Sequence, residues 1–250
     1  MRSMHRQYFE IRSYETDPQG RLQPAILCRL LQEAAVAHAN NLEVGVQLLI
    51  DHGVAWVLTR MRLDMERWPA AGEELVVTTW PEAASKLFTE RRFRLAEATG
   101  RPIGAATTLW LMIDLEQRRA IRFPPYVADR LKRHDLGSRP ARLPELTAPE
   151  STDRQLAFTV RRTDLDLAGH VNNTSYIEWA VEAVSDDVWK HSDLARLDVQ
   201  FVSECHHGQT ILSGCREMPT DDGVEISHQI LRDDDGAETA RARTLWRHRK

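Results

Sequence analysis

Cysteine is scarce in this sequence: Cys28, Cys205 and Cys215 are the only ones in 250 residues. Three thiols make no disulfide framework of the kind that small secreted domains use, so a reducing cytoplasm is the expected setting. No sign of charge dominates either. With 33 Lys and Arg against 37 Asp and Glu, the formal net charge is −4, which gives no reason to expect nucleic acid or an anionic membrane as a partner. Long apolar runs are missing. The opening Met-Arg-Ser-Met-His-Arg-Gln lacks the apolar core of a signal peptide, and no later segment reads as a membrane span. A glycine-rich phosphate loop is absent as well, which argues against a nucleotide-binding fold. What remains is a globular composition, 42% hydrophobic and 28% charged, long enough for one large domain or two small ones. It leaves open whether whole chains pair as a homodimer.

In the first half, residues 8–14 read as a short strand before the turn Thr16-Asp-Pro-Gln-Gly-Arg21. Pro24 can open a helix, because its missing amide would be unpaired there in any case. Ile26, Leu27, Leu30, Leu31, Ala34, Ala35 and His38 then recur at helical spacing and predict one buried stripe. A second helical piece is expected over Val46–Asp51. Strand patterning follows at 56–63, 74–80, 88–96, 103–113 and 119–121. One central helix followed by antiparallel strands predicts an α+β layer. Pro124-Pro125 closes this half. Residues 129–151, with Lys132, Arg133, Arg139 and Arg142 among Pro140, Pro144 and Pro149, read as an ordered or semi-rigid connection.

The second half repeats the first. An offset of 149 pairs Asp17 with Asp166, Gly20 with Gly169, Arg21 with His170, Leu22 with Val171 and Leu30 with Trp179. Further on, an offset of 136 pairs Gly72 with Gly208, Leu95 with Leu231, Gly100 with Gly236, and Thr108-Leu-Trp110 with Thr244-Leu-Trp246. A deletion in the second copy explains the change. Two copies of one helix-plus-sheet domain account for these registers. The later strands are expected at 197–202, 209–216, 224–232 and 238–246. The basic tail Arg247-His-Arg-Lys250 is most simply a solvated end.

The copies differ in chemistry. Around Asp164-Leu-Asp-Leu-Ala-Gly-His-Val-Asn-Asn173, two acids, a histidine and two asparagines crowd ten residues, just before a helical stripe of Tyr176, Trp179, Ala180, Ala183 and Val184. Asn172, Asn173 and Thr174 are capping types. Asp166 and His170 fall in the preceding turn, near helix-start amides that can receive developing negative charge, a geometry suited to acyl transfer. Arg21 stands where the first copy would need His170, and Trp68 where it would need Glu204.

This run, with Tyr176, Trp179 and the downstream Phe201-Val-Ser-Glu-Cys205, resembles the histidine motif of the acyl-acyl-carrier-protein thioesterases. The resemblance implies a tandem hotdog fold, with an N-terminal domain at 1–135 that shapes the acyl pocket and a catalytic domain at 152–250. It implies hydrolysis of the thioester between a fatty acyl chain and the phosphopantetheine arm of acyl carrier protein. The motif maps onto Asp166, His170, Glu204 and Cys205. Glu204 is the preferred general base through water, His170 would position or polarise the thioester, and Asp166 would orient His170 or hold water; these roles could exchange. A backbone amide near Val171 or Asn172 would stabilise the oxyanion, with Asn172 and Asn173 bracing the loop. The family's customary asparagine falls at Ala168, which removes an amide that could orient water or the carbonyl.

Cys205 is read as lining the site rather than as a nucleophile, since nothing local activates its thiol. Cys205-His206-His207 lacks a zinc spacing, so a metal-free, cofactor-free site is expected. Lys132 and Arg133 offer a docking edge for an acidic carrier. The competing readings are an acyl-coenzyme A thioesterase and a non-catalytic acyl-thioester-binding module.

Overall fold

The structure, a computed structural model, describes residues 3–134 and 136–249; Met1, Arg2, Asp135 and Lys250, the last residue of the basic tail, lie outside the described residues. The chain forms two compact units. One comprises Met1–Met61 and Glu66–Leu143, the other Pro144–Lys250 together with Arg62–Met65.

The first unit opens with β1 (His5–Glu10), earlier than the strand read at 8–14. The reason is local. Residues Ser13–Glu15 wind into a 3-10 turn because the Glu15 carboxylate accepts the Arg12 amide at 2.8 Å. Helix α1 (Pro24–Asn41) starts with proline at its first position and buries Leu27, Cys28, Leu31, Ala34, Ala35 and His38 against β1 and β3. Helix α2 (Val46–Asp51) follows, then β2 (Val54–Met65), β3 (Glu74–Ala84), β4 (Phe88–Glu97), β5 (Pro102–Asp114) and the short β6 (Arg119–Ile121). The sheet runs β1-β3-β4-β5-β2, with β6 on β5. Pro124-Pro125, read as a terminator, instead starts helix α3 (Pro125–Lys132). Its Val127 and Leu131 close an apolar cluster with Leu42, Val44, Leu49, Val54 and Met112. The residues after α3 are tied to this unit: Gly137 donates to Glu82 at 2.9 Å, and Arg60 reaches the Leu143 carbonyl at 2.9 Å.

The second unit repeats that plan with β7 (Arg154–Thr159), α4 (Asn173–Glu182), α5 (Asp186–His191), β8 (Ser192–Phe201), β9 (Thr210–Thr220), β10 (Gly223–Arg232) and β11 (Glu238–His248). Its order, β7-β9-β10-β11-β8, is the first unit's order element for element. Helix α4 lies on β9, β10 and β11. Each unit is thus one helix against an antiparallel sheet, the expected tandem hotdog. The glycine pairs confirm the register, since Gly20 and Gly169 have φ of 78° and 79°, and Gly72 and Gly208 both have 83°. These left-handed turns are open to glycine at no steric cost. The Trp110 indole donates to Thr108 at 2.8 Å and the Trp246 indole to Thr244 at 2.9 Å. Helix α4 is the shorter central helix, 10 residues against 18 in α1. Its start is set by Asn172, whose side chain accepts the Thr174 amide at 2.9 Å and hydroxyl at 2.8 Å.

Each unit also buries a histidine. His228, on β10, is buried with its Nε2 2.9 Å from the Thr244 hydroxyl, and burial holds its pKa down to about 3. His38 is likewise held down to about 3, by burial first and then by the charge of Arg91. Both are neutral in the fold but bind a proton when unfolded below their ordinary value of 6.5. The unfolded state therefore takes up more protons than the native state between pH 6.5 and about 3, and stability falls as pH drops through that window. Each contributes at most about 1.4 kcal/mol per pH unit. Calorimetric unfolding midpoints should fall on acidification from pH 7 to 5, and less steeply in His228→Gln. Urea unfolding should separately show Asn172→Ala less stable by about 1 kcal/mol, the usual worth of a helix cap.

Candidate active site

The site is built on the loop that leads into α4. Residues Arg162–Asp164 form a 3-10 turn. The buried Asp164 carboxylate accepts the Arg161 amide at 2.7 Å and its guanidinium at 2.8 Å. The Asp164 carbonyl in turn accepts the Asn172 amide at 2.8 Å. Between these anchors the chain folds back on itself. Asp166 donates its amide to the His170 carbonyl at 2.8 Å, while its Oδ1 accepts the amides of Ala168 at 2.9 Å and His170 at 3.3 Å.

Asp17 does the same in the first unit. Its amide donates to the Arg21 carbonyl at 2.8 Å, and its Oδ1 accepts the amides of Gln19 and Arg21, both at 2.9 Å. The Asp166 carboxylate therefore holds His170 through the backbone. That turn is a property of the fold and does not depend on a histidine being present.

The loop lies beside the segment after β8, because the Val171 amide donates to the Cys205 carbonyl at 3.1 Å. This contact brings Glu204 to His170, with Nε2 and Oε2 3.5 Å apart and both side chains partly open to solvent. The Glu204 backbone is pinned from another strand: Arg232 at the end of β10 donates to its carbonyl at 3.0 Å, and Asp235 holds that guanidinium at 2.7 Å. His206 stands beside His170, ring centroids 5.1 Å apart and tilted by 59°. Cys205 is fully buried between its two neighbours. Burial pushes its thiol pKa up, and burial likewise raises the adjacent Tyr176 phenol. A protonated, enclosed sulfur is packing and not a nucleophile.

The two amides considered for an oxyanion both have backbone partners. The Val171 amide is spent on Cys205 and the Asn172 amide on Asp164, so neither is available to a developing oxyanion in this conformation. Asn172 caps α4 and Asn173 is its first residue, while the His170 ring faces Glu204 at 3.5 Å. Ala168 contributes only its amide, to Asp166. Lys132 and Arg133 are not near these groups in sequence or unit: they are exposed at the end of α3 in the first unit, where Lys132 meets Asp129 at 3.0 Å.

Sequence reasoning missed two participants. His206 was visible as part of a Cys-His-His run, but the loop's connection to His170 was not. Arg232 carries no sequence signal, since its role is to hold a distant carbonyl. In the first unit, Leu22 donates to the Pro69 carbonyl at 2.8 Å where Val171 donates to Cys205. Trp68 and Ala70 therefore occupy the places of Glu204 and His206, and Arg21 closes onto Asp17 at 2.7 Å.

Comparison with known proteins bears on the paired-unit plan. The family model described as the acyl-ACP thioesterase N-terminal domain matches residues 2–131, and that described as the C-terminal domain matches 147–248. The acyl-[acyl-carrier-protein] hydrolase FATB3 of Cuphea viscosissima is 27% identical over 97% of this chain. The palmitoyl-acyl carrier protein thioesterase of Arabidopsis thaliana is 27% identical over 96%. The chain spans 62% and 63% of the lengths of those two relatives. Among solved structures, the 12:0-ACP thioesterase from Umbellularia californica superposes with a TM-score of 0.85 at 25% identity, covering 98% of each chain. A Lactobacillus plantarum protein assigned as an oleoyl thioesterase gives a TM-score of 0.91 at 25% identity, covering 100% of this chain and 98% of its own. With both halves matched and the paired-unit plan in place, this chain belongs to the acyl-ACP thioesterase family.

Proposed function

We propose that the chain hydrolyses acyl thioesters on acyl carrier protein, releasing a free fatty acid, and that the second unit alone carries the chemistry. The observation that carries this reading is the His170–Glu204 pair at 3.5 Å, set in a loop that the first unit reproduces with Arg21 and Trp68 in their places. Glu204 takes a proton from the attacking water. The His170 imidazole polarises the thioester carbonyl and stabilises the oxyanion, the task that the spent amides of Val171 and Asn172 do not perform. Collapse of the tetrahedral intermediate breaks the carbon–sulfur bond, and the thiol leaves with the proton held by the pair. Asp166 acts as a positioning residue through the His170 amide. The first unit is non-catalytic and shapes the acyl pocket. Three buried free cysteines suit a reducing compartment, and among the described residues no helix is long and apolar enough to cross a membrane.

Glu204→Gln and His170→Ala should each lower kcat by roughly 10²–10⁴-fold, the worth of one general acid–base group, with folding intact by circular dichroism. Cys205→Ala should keep most of its turnover once folded. Tight carrier binding with no hydrolysis in the unmodified protein would instead make it a binding module, the alternative that Ala168 keeps open.

The exposed Lys132, Arg133, Arg139 and Arg142 form the proposed edge for an acidic carrier. Matched acyl groups on carrier and on coenzyme A should show higher kcat/KM for the carrier. That preference should shrink in the Lys132→Ala, Arg133→Ala double variant and at raised salt. Equal use of coenzyme A, unaffected by these changes, would assign an acyl-coenzyme A thioesterase.

A further inference from the structure

His170, Glu204 and His206 present two imidazole nitrogens and a carboxylate oxygen that all lie within 4.8 Å of one another. Their arrangement differs from the run Cys205-His206-His207 suggested by the sequence. Cys205 turns into the core, and the third donor arrives from the α4 loop. We propose that these three side chains bind one divalent cation of the zinc class, and that filling the site arrests hydrolysis. The second clause rests on the proposed function; the first does not.

Distances support the site. Two donors about 2.1 Å from a tetrahedral zinc stand about 3.4 Å apart, and His170 Nε2 and Glu204 Oε2 are already 3.5 Å apart. His206 is exposed, and one of its ring nitrogens lies within 4.8 Å of the other two donors. Its backbone is held meanwhile by Gln209, which accepts its amide at 2.8 Å. The backbones behind the other two donors are also fixed, His170 by Asp166 at 3.3 Å and Glu204 by Arg232 at 3.0 Å. Two imidazoles and a carboxylate match zinc, whereas magnesium prefers an oxygen shell. In the first unit, Arg21, Trp68 and Ala70 take the three places, so the donor set is not a consequence of the fold. The cation would occupy the Nε2 and Oε2 atoms that the hydrolytic reading reserves for the carbonyl and for water. Loss of activity follows from that competition.

The test is a titration of the chelator-treated full chain with zinc chloride, read by calorimetry and by competition with a chromophoric chelator. One zinc per chain is expected, with affinity lowered more than about tenfold by His206→Ala, since losing a donor costs at least as much as losing a partner behind one. His207→Ala, altering an exposed neighbour outside the site, should bind zinc as the parent does. Magnesium chloride should give no heat. Anomalous scattering from a zinc-soaked crystal should place the ion among the three side chains. No binding, or equal weakening by the His206 and His207 substitutions, would overturn the site. In the thioesterase assay zinc should lower the rate and chelator restore it, with His206→Ala needing more than about tenfold more zinc for the same fractional loss. A rate that rises with zinc would overturn the inhibitory role. Zinc binding in a protein without any thioesterase activity would overturn the functional reading and leave the cation site standing.

Discussion

One aspartate-centred turn, made twice, leads into each central helix. In both units a carboxylate oxygen accepts two backbone amides, and the aspartate's own amide donates to the carbonyl four residues on. A left-handed glycine completes the reversal. Three backbone amides, one carboxylate oxygen and one carbonyl are satisfied in a stretch too short to form regular structure, so hydrogen bonds rather than packing hold the turn. It delivers the residue after the glycine, Arg21 or His170, to the same place beside the segment that follows β2 or β8. Everything chemical about the site depends on that delivery.

The turn is therefore a property of the fold, present in both units whatever residue follows the glycine. One scaffold carries an arginine that folds back on its own aspartate at 2.7 Å, and its repeat carries a histidine that faces a glutamate at 3.5 Å. The two copies differ at three exposed or half-exposed places, while the apolar positions beneath remain. Such places tolerate change because their side chains contribute little to the core. Cys205 shows the complement: it sits between two outward-facing residues, yet it is buried, and burial pushes its thiol pKa up.

Much of this was legible in the residues. Pro24 and the apolar spacing behind it located α1, the glycine pairs gave the duplication, and Asn172 marked the start of α4. Features that depend on tertiary context were not legible. Strand β7 alternates between exposed and half-buried positions and offers little apolar contrast. Helix α3 begins at a diproline that reads as a stop until its two buried residues find the apolar cluster. At the site, His170 and Glu204 were read from the motif, but the engagement of the Val171 and Asn172 amides was not. Those amides are satisfied by carbonyls 34 and 8 residues away in sequence, Cys205 and Asp164, and no local pattern records such a pairing. Arg232 escaped for the same reason.

The central claim is that water attacks the thioester between His170 and Glu204 and nowhere else in the chain. The most direct measurement is a crystal structure with an acyl-pantetheine analogue whose thioester is replaced by an unreactive amide. The account predicts the amide carbonyl oxygen within hydrogen-bonding reach of His170, and a water on Glu204 about 3–3.5 Å from the carbonyl carbon. An analogue seated with its carbonyl at the Arg21 and Trp68 loop, or bound with no path for water from Glu204, would contradict it.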